Sequence, residues 1–254
     1  ATVASTESSA QSSKDSLKAA AADSLVRVAE AYLARGNTDA AEETFNDLLK
    51  VRNDPRGYLG IGRVLLSRQN WGDARHQFDK AIELDPSSAE AHYYGGISYR
   101  EAGRWRGPGT FTGAISQQGA YARSSELFHW VLACDSSYRD VLYQYTLLLK
   151  NEGRYGEAMQ ALCAQIRLRP GLPVAYPVFV RLCRAAIREG RGPELWSQIG
   201  PPLGDLESYV RAETMRDEGR LAEAEKLLTQ RVQRPGGEPP QLAYLSLVRI
   251  YAAR

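Results

Sequence analysis

No run of 18 apolar residues occurs anywhere in the 254-residue chain, so no segment reads as a membrane-spanning helix. Cysteine is scarce. The three present, Cys134, Cys163 and Cys183, are odd in number and lack CxxC spacing, which excludes a zinc ribbon and a disulfide framework. All three fall in helical patterns and are expected as small buried hydrophobes, with a Cys163–Cys183 bridge between neighbouring helices left open. Charge of one sign is lacking too. The 32 Lys+Arg and 30 Asp+Glu give a net charge of +2, too even for the concentrated basic face of a nucleic-acid or anionic-membrane binder. β-branched residues are few while Ala, Leu, Arg and Glu dominate, which favours helix over strand. With 43% hydrophobic and 24% charged residues, the chain as a whole has the composition of a folded protein.

Catalytic and ligand-binding signatures are also missing. There is no GxSxG elbow, no GxxxxGK[ST] phosphate loop and no HExxH pair. His76, His92 and His129 stand at unrelated points of the pattern, without metal-ligand spacing. Leu59-Gly60-Ile61-Gly62 contains GxG but lacks the third glycine and lies within a helical period, so it reads as helix packing. Carboxylate pairs such as Glu42-Glu43 belong to solvated helix faces. These absences point away from an enzyme and call for no metal and no cofactor. No N-x-[ST] acceptor is present either.

The chain begins with Ala, and Ala1–Ser13 are almost all Ala, Ser, Thr and Gln. Such a segment offers little apolar surface to offset its ordering entropy, so residues 1–14 are expected as a flexible tail. It reads as a spacer left after signal-peptide removal or as a start set within a longer chain. The first reading places the protein outside the cytoplasm, secreted or in a bacterial envelope; the second leaves a cytoplasmic location open.

What the chain does contain is a repeat. Residues expected at helix-to-helix turns are Gly36, Gln69, Gly103, Gly153, Gly190 and Gly219, spaced by 33, 34, 50, 37 and 29. The 50 is one period plus a 16-residue insertion at 104–119, and 37 with 29 makes two periods of 33. In the second unit Gly62, Ala74, Phe78, Ala81 and Pro86 hold positions 8, 20, 24, 27 and 32. Small residues at 8 and 20 let two antiparallel helices approach. The aromatic at 24 is expected to fill the gap to the next unit, and the proline ends the second helix. Other units repeat the pattern: Ala29, Gly36, Ala41 and Phe45; Gly96, Gly103, Ser124 and Phe128; Thr146, Gly153, Ala158 and Leu162; Ala212, Gly219, Ala224 and Leu228.

These positions resemble the tetratricopeptide-repeat family. Trp71-Gly72-Asp73-Ala74-Arg75 with Ala81-Ile82-Glu83-Leu84-Asp85-Pro86 is the most specific stretch, and the likeness covers roughly residues 20–254. It implies an all-α, right-handed α-solenoid over residues 15–254, of about six helical hairpins plus a terminal helix. The implied function is a protein–protein interaction scaffold without catalysis. A second likeness, carried by Tyr138-Arg139-Asp140-Val141-Leu142-Tyr143-Gln144, is to the repeat region of bacterial envelope proteins with a GWxTD-type domain.

In the family the first helix of each unit lines the concave face, and positions 2, 5, 9 and 12 touch ligand. By resemblance these positions offer Arg63, Tyr93, Ile97, Arg100, Tyr143, Leu147 and Arg184 as protein-binding residues. Tyrosines bordered by arginine suit binding hot spots. The family's clamp for a C-terminal carboxylate uses Lys and Asn. Val26, Glu30, Leu59 and Arg63 stand at those sites here, so that ligand is not expected. Trp105 and Phe111 in the insertion are further candidates, because long loops on a rigid scaffold often carry function. Near the C-terminus Tyr244, Leu247 and Tyr251 sit at helical spacing and are expected as an uncapped helix face. That face is expected to be covered either by a further helix of a longer chain or by another copy, and the second motivates the alternative function, head-to-tail self-assembly of identical subunits into a filament or oligomer.

Overall fold

The computed structural model describes residues 2–104, 116–169, 174–188, 205–233, 247, 250 and 251. Every regular element among the described residues is an α-helix, and no described helix is long and apolar enough to cross a membrane. The chain divides into two compact units, residues 1–141 and 142–254. The first holds α1 (Thr2–Ala34), α2 (Thr38–Val51), α3 (Pro55–Ser67), α4 (Trp71–Leu84), α5 (Ala89–Arg104) and α6 (Gln117–Cys134). They pair as hairpins α1/α2, α3/α4 and α5/α6, and α2 stacks on α3 as α4 does on α5. The first helices also touch in order, α1 with α3 and α3 with α5. The second unit takes α7 (Val141–Asn151), α8 (Tyr155–Leu168), α9 (Ala175–Arg188), α10 (Asp205–Asp217) and α11 (Leu221–Val232). There α8 packs on α9, α9 on α10 and α10 on α11. This is α-solenoid construction, hairpin after hairpin.

The turns between paired helices repeat to the atom. Gly36, Gln69, Gly153 and Gly219 adopt φ of 75°, 59°, 78° and 78°. In each, the left-handed residue donates to the carbonyl three residues back and its successor donates five back: Gly36 to Leu33 (3.0 Å) and Asn37 to Tyr32 (2.9 Å), Gln69 to Leu66 (3.0 Å) and Asn70 to Leu65 (2.9 Å). The same pair closes α7 and α10. This double bond satisfies the last carbonyls of the outgoing helix. Asn37 and Asn70 then cap the next helix, accepting from Ala40 N (3.3 Å) and Asp73 N (3.4 Å). Arg154 and Arg220 stand at that position in the second unit and pair instead with Glu157 and Glu223 of the first turn, at 2.6 and 2.7 Å. Gly103 departs from the expected pattern. It lies inside α5, where an added Cβ would meet the Tyr121 ring at 2.6 Å; the insertion postpones the turn and leaves the glycine as a contact point. Gly190 lies outside the described residues.

The core rests on aromatic rings seated on glycines. A Cβ added to Gly60 would lie 2.2 Å from Phe45, one on Gly62 2.6 Å from Phe78, and one on Gly96 2.6 Å from Phe128. Phe45 reaches forward to α3 of the next hairpin, as the period suggested. Phe78 and Phe128 lie over the glycine of their own hairpin, so that aromatic position packs within a unit as well as between units. Ala29, Ala41, Ala74, Ala81, Ala158 and Ala224 are all buried at the small positions. Ser124 fills one such position and donates to the Gly96 carbonyl at 2.7 Å, which satisfies its buried hydroxyl.

Residues 2–13, expected as part of a flexible tail, continue α1 as helix. Buried Ala22 and Ala29 anchor α1 in the core, and a helix already nucleated extends by one hydrogen bond per added residue. Ala and Gln favour that extension. Cys134 is a second departure: it ends α6 exposed, whereas Cys163 and Cys183 are buried free thiols. Burial pushes the Cys163 thiol up to about 11 and the Cys183 thiol higher still.

His92 is buried between α5 and α6, stacked on Trp130 with centroids 3.9 Å apart, and its Nδ1 donates to the Ser88 carbonyl at 2.9 Å. Desolvation holds its pKa below the ordinary value of 6.5. The folded state therefore resists protonation, and the stability this contributes is complete above pH 6.5 and lost as pH falls through the depressed folded pKa. His92→Phe keeps the stack and is expected to flatten that acid-side loss in chemical denaturation midpoints. Gly60→Ala forces a methyl into the Phe45 ring and is expected to cost about 1–3 kcal/mol. Gln69→Gly relieves a left-handed non-glycine and is expected to gain about 1 kcal/mol, read as an upward shift of the same midpoint.

Candidate functional site

The face formed by α1, α3 and α5 carries a run of alternating charges. Repeats place like positions 33 residues apart, and here those positions hold opposite signs. Asp23 pairs with Arg56 at 2.7 Å and Glu30 with Arg63 at 2.6 Å. Arg63 also lies 3.8 Å from Glu90, which meets Arg139 at 2.8 Å. Glu30, Arg63, Glu90 and Arg139 thus form one chain of ions across three hairpins. Arg56 is fixed further by Asp54, the N-cap of α3, whose buried carboxylate accepts from the Arg56 backbone N at 3.0 Å. The bond from the Arg56 side chain holds the Asp54 carboxyl below its usual range.

Aromatic rings fill the space beside the ions. Tyr94 stacks on Phe78 at 6.0 Å and meets Tyr93 edge-on at 5.1 Å, while Tyr93 meets Tyr138 edge-on at 5.8 Å. The Arg63 guanidinium lies 5.7 Å from the Tyr94 centroid. Tyr93 donates its hydroxyl to Asp140; burial, together with that bond, raises the phenol far above its ordinary pKa. The loop bringing Tyr138, Arg139 and Asp140 here is pinned by Asp135, which accepts from Ser137 N (2.8 Å) and Ser137 Oγ (2.6 Å). Beside Tyr94 an open groove of about 280 Å³ is lined by Glu30, Leu33, Ala34, Arg63 and Leu66. Its lining therefore mixes aliphatic side chains with charged and aromatic ones.

Of the residues expected to bind protein, Arg63 lines this groove, and its side chain is 24% exposed. Tyr93 and Arg100 are buried, contrary to the surface positions expected of them, and Tyr93 faces the ring cluster beside the groove. They are 6% and 4% exposed, and Arg100 pairs with Glu101 at 2.8 Å. A first helix buries more than its inner stripe when the next hairpin's turn folds over it, as Tyr138–Asp140 does here. Ile97 is half-buried on α5. In the second unit Tyr143 and Leu147 on α7 are half-buried, and Arg184 on α9 donates to the Glu213 carbonyl at 3.2 Å. Leu247 packs against the cluster of Ala212, Ala224, Leu228 and Ile250. Tyr251 is 54% exposed and donates to Glu225 at 2.8 Å. Trp105, Phe111 and Tyr244 lie outside the described residues. Sequence reasoning missed Tyr94, Glu90 and Arg139. Tyr94 lay next to the chosen Tyr93, one residue around the helix. Arg139 reaches the site from 45 residues away, a contact no local pattern encodes.

His76 and His129 are exposed on α4 and α6, and His129 Nδ1 lies 3.3 Å from Ser125 Oγ. Among the described residues no three His, Cys, Asp or Glu side chains gather into a metal-holding group.

Residues 23–51 and 59–106 match models of the tetratricopeptide repeat, so the chain carries tetratricopeptide repeats there. No curated protein matches the chain. Solved structures do. MamA from residue 41 onward, of Desulfovibrio magneticus RS-1, shares 16% identity at a TM-score of 0.55, covering 70% of this chain and 90% of its own. Another MamA protein shares 19% at 0.55, with 75% and 94% covered. PilF of Pseudomonas aeruginosa shares 15% at 0.59, with 93% and 99% covered. At such identities the likeness establishes the fold.

The different burial of the two arginines yields a prediction. Arg100→Ala removes a buried side chain while Glu101 keeps its pair with Arg104 at 2.7 Å, and is expected to cost about 2–3 kcal/mol. Arg63→Ala, at the groove, is expected to cost about 1 kcal/mol or less. Denaturation midpoints of the two variants check the order.

Proposed function

We propose that this tetratricopeptide-repeat chain is a non-catalytic scaffold that takes a segment of a partner protein along the α1, α3 and α5 face. The observation carrying this reading is the groove at Arg63 and Tyr94, lined also by Leu33, Ala34 and Leu66. Tyr and Arg give large contact area at low entropy cost and dominate protein interfaces. The aliphatic side chains accept an apolar side chain of the segment, and the charged ones select its neighbours. The ion run holds these side chains in place before binding, which lowers the ordering cost on association.

A photo-crosslinking side chain at Leu66 should capture a discrete partner from the source cells, and the same group at Glu83, exposed on α4, should not. Equal labelling at both sites would remove this face as the binding surface. With the partner in hand, Tyr94→Ala is expected to weaken it at least about tenfold, the effect of losing an aromatic anchor.

A second reading, end-to-end self-assembly, draws support from charge. Residues 1–141 carry 16 Lys+Arg against 18 Asp+Glu, and residues 142–254 carry 16 against 12. Opposite net signs favour the association of one copy's first unit with another's second. Light scattering across concentration separates the readings: a scaffold keeps a mass near 28.1 kDa, whereas an assembler gains mass and loses it again in high salt.

A further inference from the structure

The ring cluster beside the groove is built around a cation, and the cation comes from the chain itself. The Arg139 guanidinium lies 5.6 Å from the Tyr93 centroid, 5.2 Å from Tyr94 and 5.6 Å from Tyr138. It donates to the Tyr94 hydroxyl and to Glu90, each at 2.8 Å. Three tyrosine rings and a carboxylate gathered round one guanidinium are a chemistry by which proteins hold a cationic side chain. The guanidinium's planar fork suits it better than a compact ammonium, because it stacks and donates at once.

Two observations make Arg139 a poor permanent tenant. Arg139, whose backbone φ is 47°, shares its carboxylate partner Glu90 with Arg63, 3.8 Å away. Its side chain is also 43% exposed, so it can swing into water without disturbing the core. Tyr94 belongs to both the cage and the groove, so a segment lying in the groove passes the cage.

We infer that Glu90, Tyr93, Tyr94 and Tyr138 form a receptor for an arginine side chain of the partner segment, and that Arg139 occupies it as an internal competitor until that segment displaces it. This rests on the binding face proposed above and adds the chemistry of its partner: a protein segment presenting arginine next to an apolar residue. Self-occupancy lowers the apparent affinity by the fraction of molecules in which the cage is filled, so removing the competitor should tighten binding.

The test uses the full chain with Arg139→Gly, which empties the cage while keeping a residue at ease with positive φ. Methylguanidinium is titrated while the tyrosine ring resonances are followed by NMR. The expected result is saturable binding at least about tenfold tighter in Arg139→Gly than in the wild type, lost again in Arg139→Gly with Glu90→Gln. Equal affinity in wild type and Arg139→Gly, or no saturation in the variant, overturns the proposal and leaves Arg139 a structural clasp. Should the glycine variant fail to fold, Arg139→Lys is titrated under the same criterion, since a lysine clasp stacks less well and yields more readily. The titration needs no partner, so its failure does not touch the Leu66 crosslinking result, nor does a negative crosslink alter the titration.

Discussion

A phenylalanine ring lying flat on a glycine sets the distance between helices, and the rest of the molecule follows from that distance. Phe45 on Gly60, Phe78 on Gly62 and Phe128 on Gly96 leave no room for a Cβ. Helices brought this near exclude water along the seam, and buried alanines continue the close contact on either side. Because the aromatic sometimes bridges to the next hairpin and sometimes closes its own, each hairpin's core depends on its neighbour. Stability in such an array is a property of the stack more than of any one pair of helices.

Close spacing has a second consequence, on the face away from the second helices. First helices brought within contact of one another place side chains of successive repeats side by side. Opposite charges at equivalent positions then pair: Asp23 with Arg56, Glu30 with Arg63. Each pair is partly exposed and contributes modestly by itself. Linked through Glu90 to Arg139, they order a surface that would otherwise be a field of mobile side chains, and they orient Tyr94 between two guanidinium groups. The groove beside them is therefore shaped before any partner arrives. In the proposed binding mode its aliphatic side chains supply affinity and its charged ones selection, a division of labour common to protein interfaces.

Turn chemistry ties the two levels together. A left-handed residue and a double hydrogen bond to the outgoing helix recur at 36, 69, 153 and 219, with an asparagine cap for the incoming helix at the first two. That geometry makes the hairpin narrow. Where it is interrupted, at the insertion after α5, a glycine intended by the period for a turn serves as a packing contact instead.

From sequence alone, the helical class, the repeat length, the hairpin boundaries at Gly36, Gln69, Gly153 and Gly219, and the small-and-aromatic core positions were legible. All of these depend on the spacing of residue types along the chain, and a helix converts spacing directly into a shared face. The resemblance also placed Arg63 on a first helix, and Arg63 lines the groove there. It took Tyr93 and Arg100 for surface positions, as they would be on an isolated helix, but both are buried in the packed chain. It had no means of finding Arg139 beside Glu90 and Tyr94, since their approach depends on where a loop 45 residues later folds back. The N-terminal residues of α1 have a composition poor in apolar surface, and they continue the helix that Ala22 and Ala29 anchor in the core. Local pattern determined what each segment is; only the packed structure decided which side chains face water together, because exposure belongs to the assembled stack and not to any residue in it.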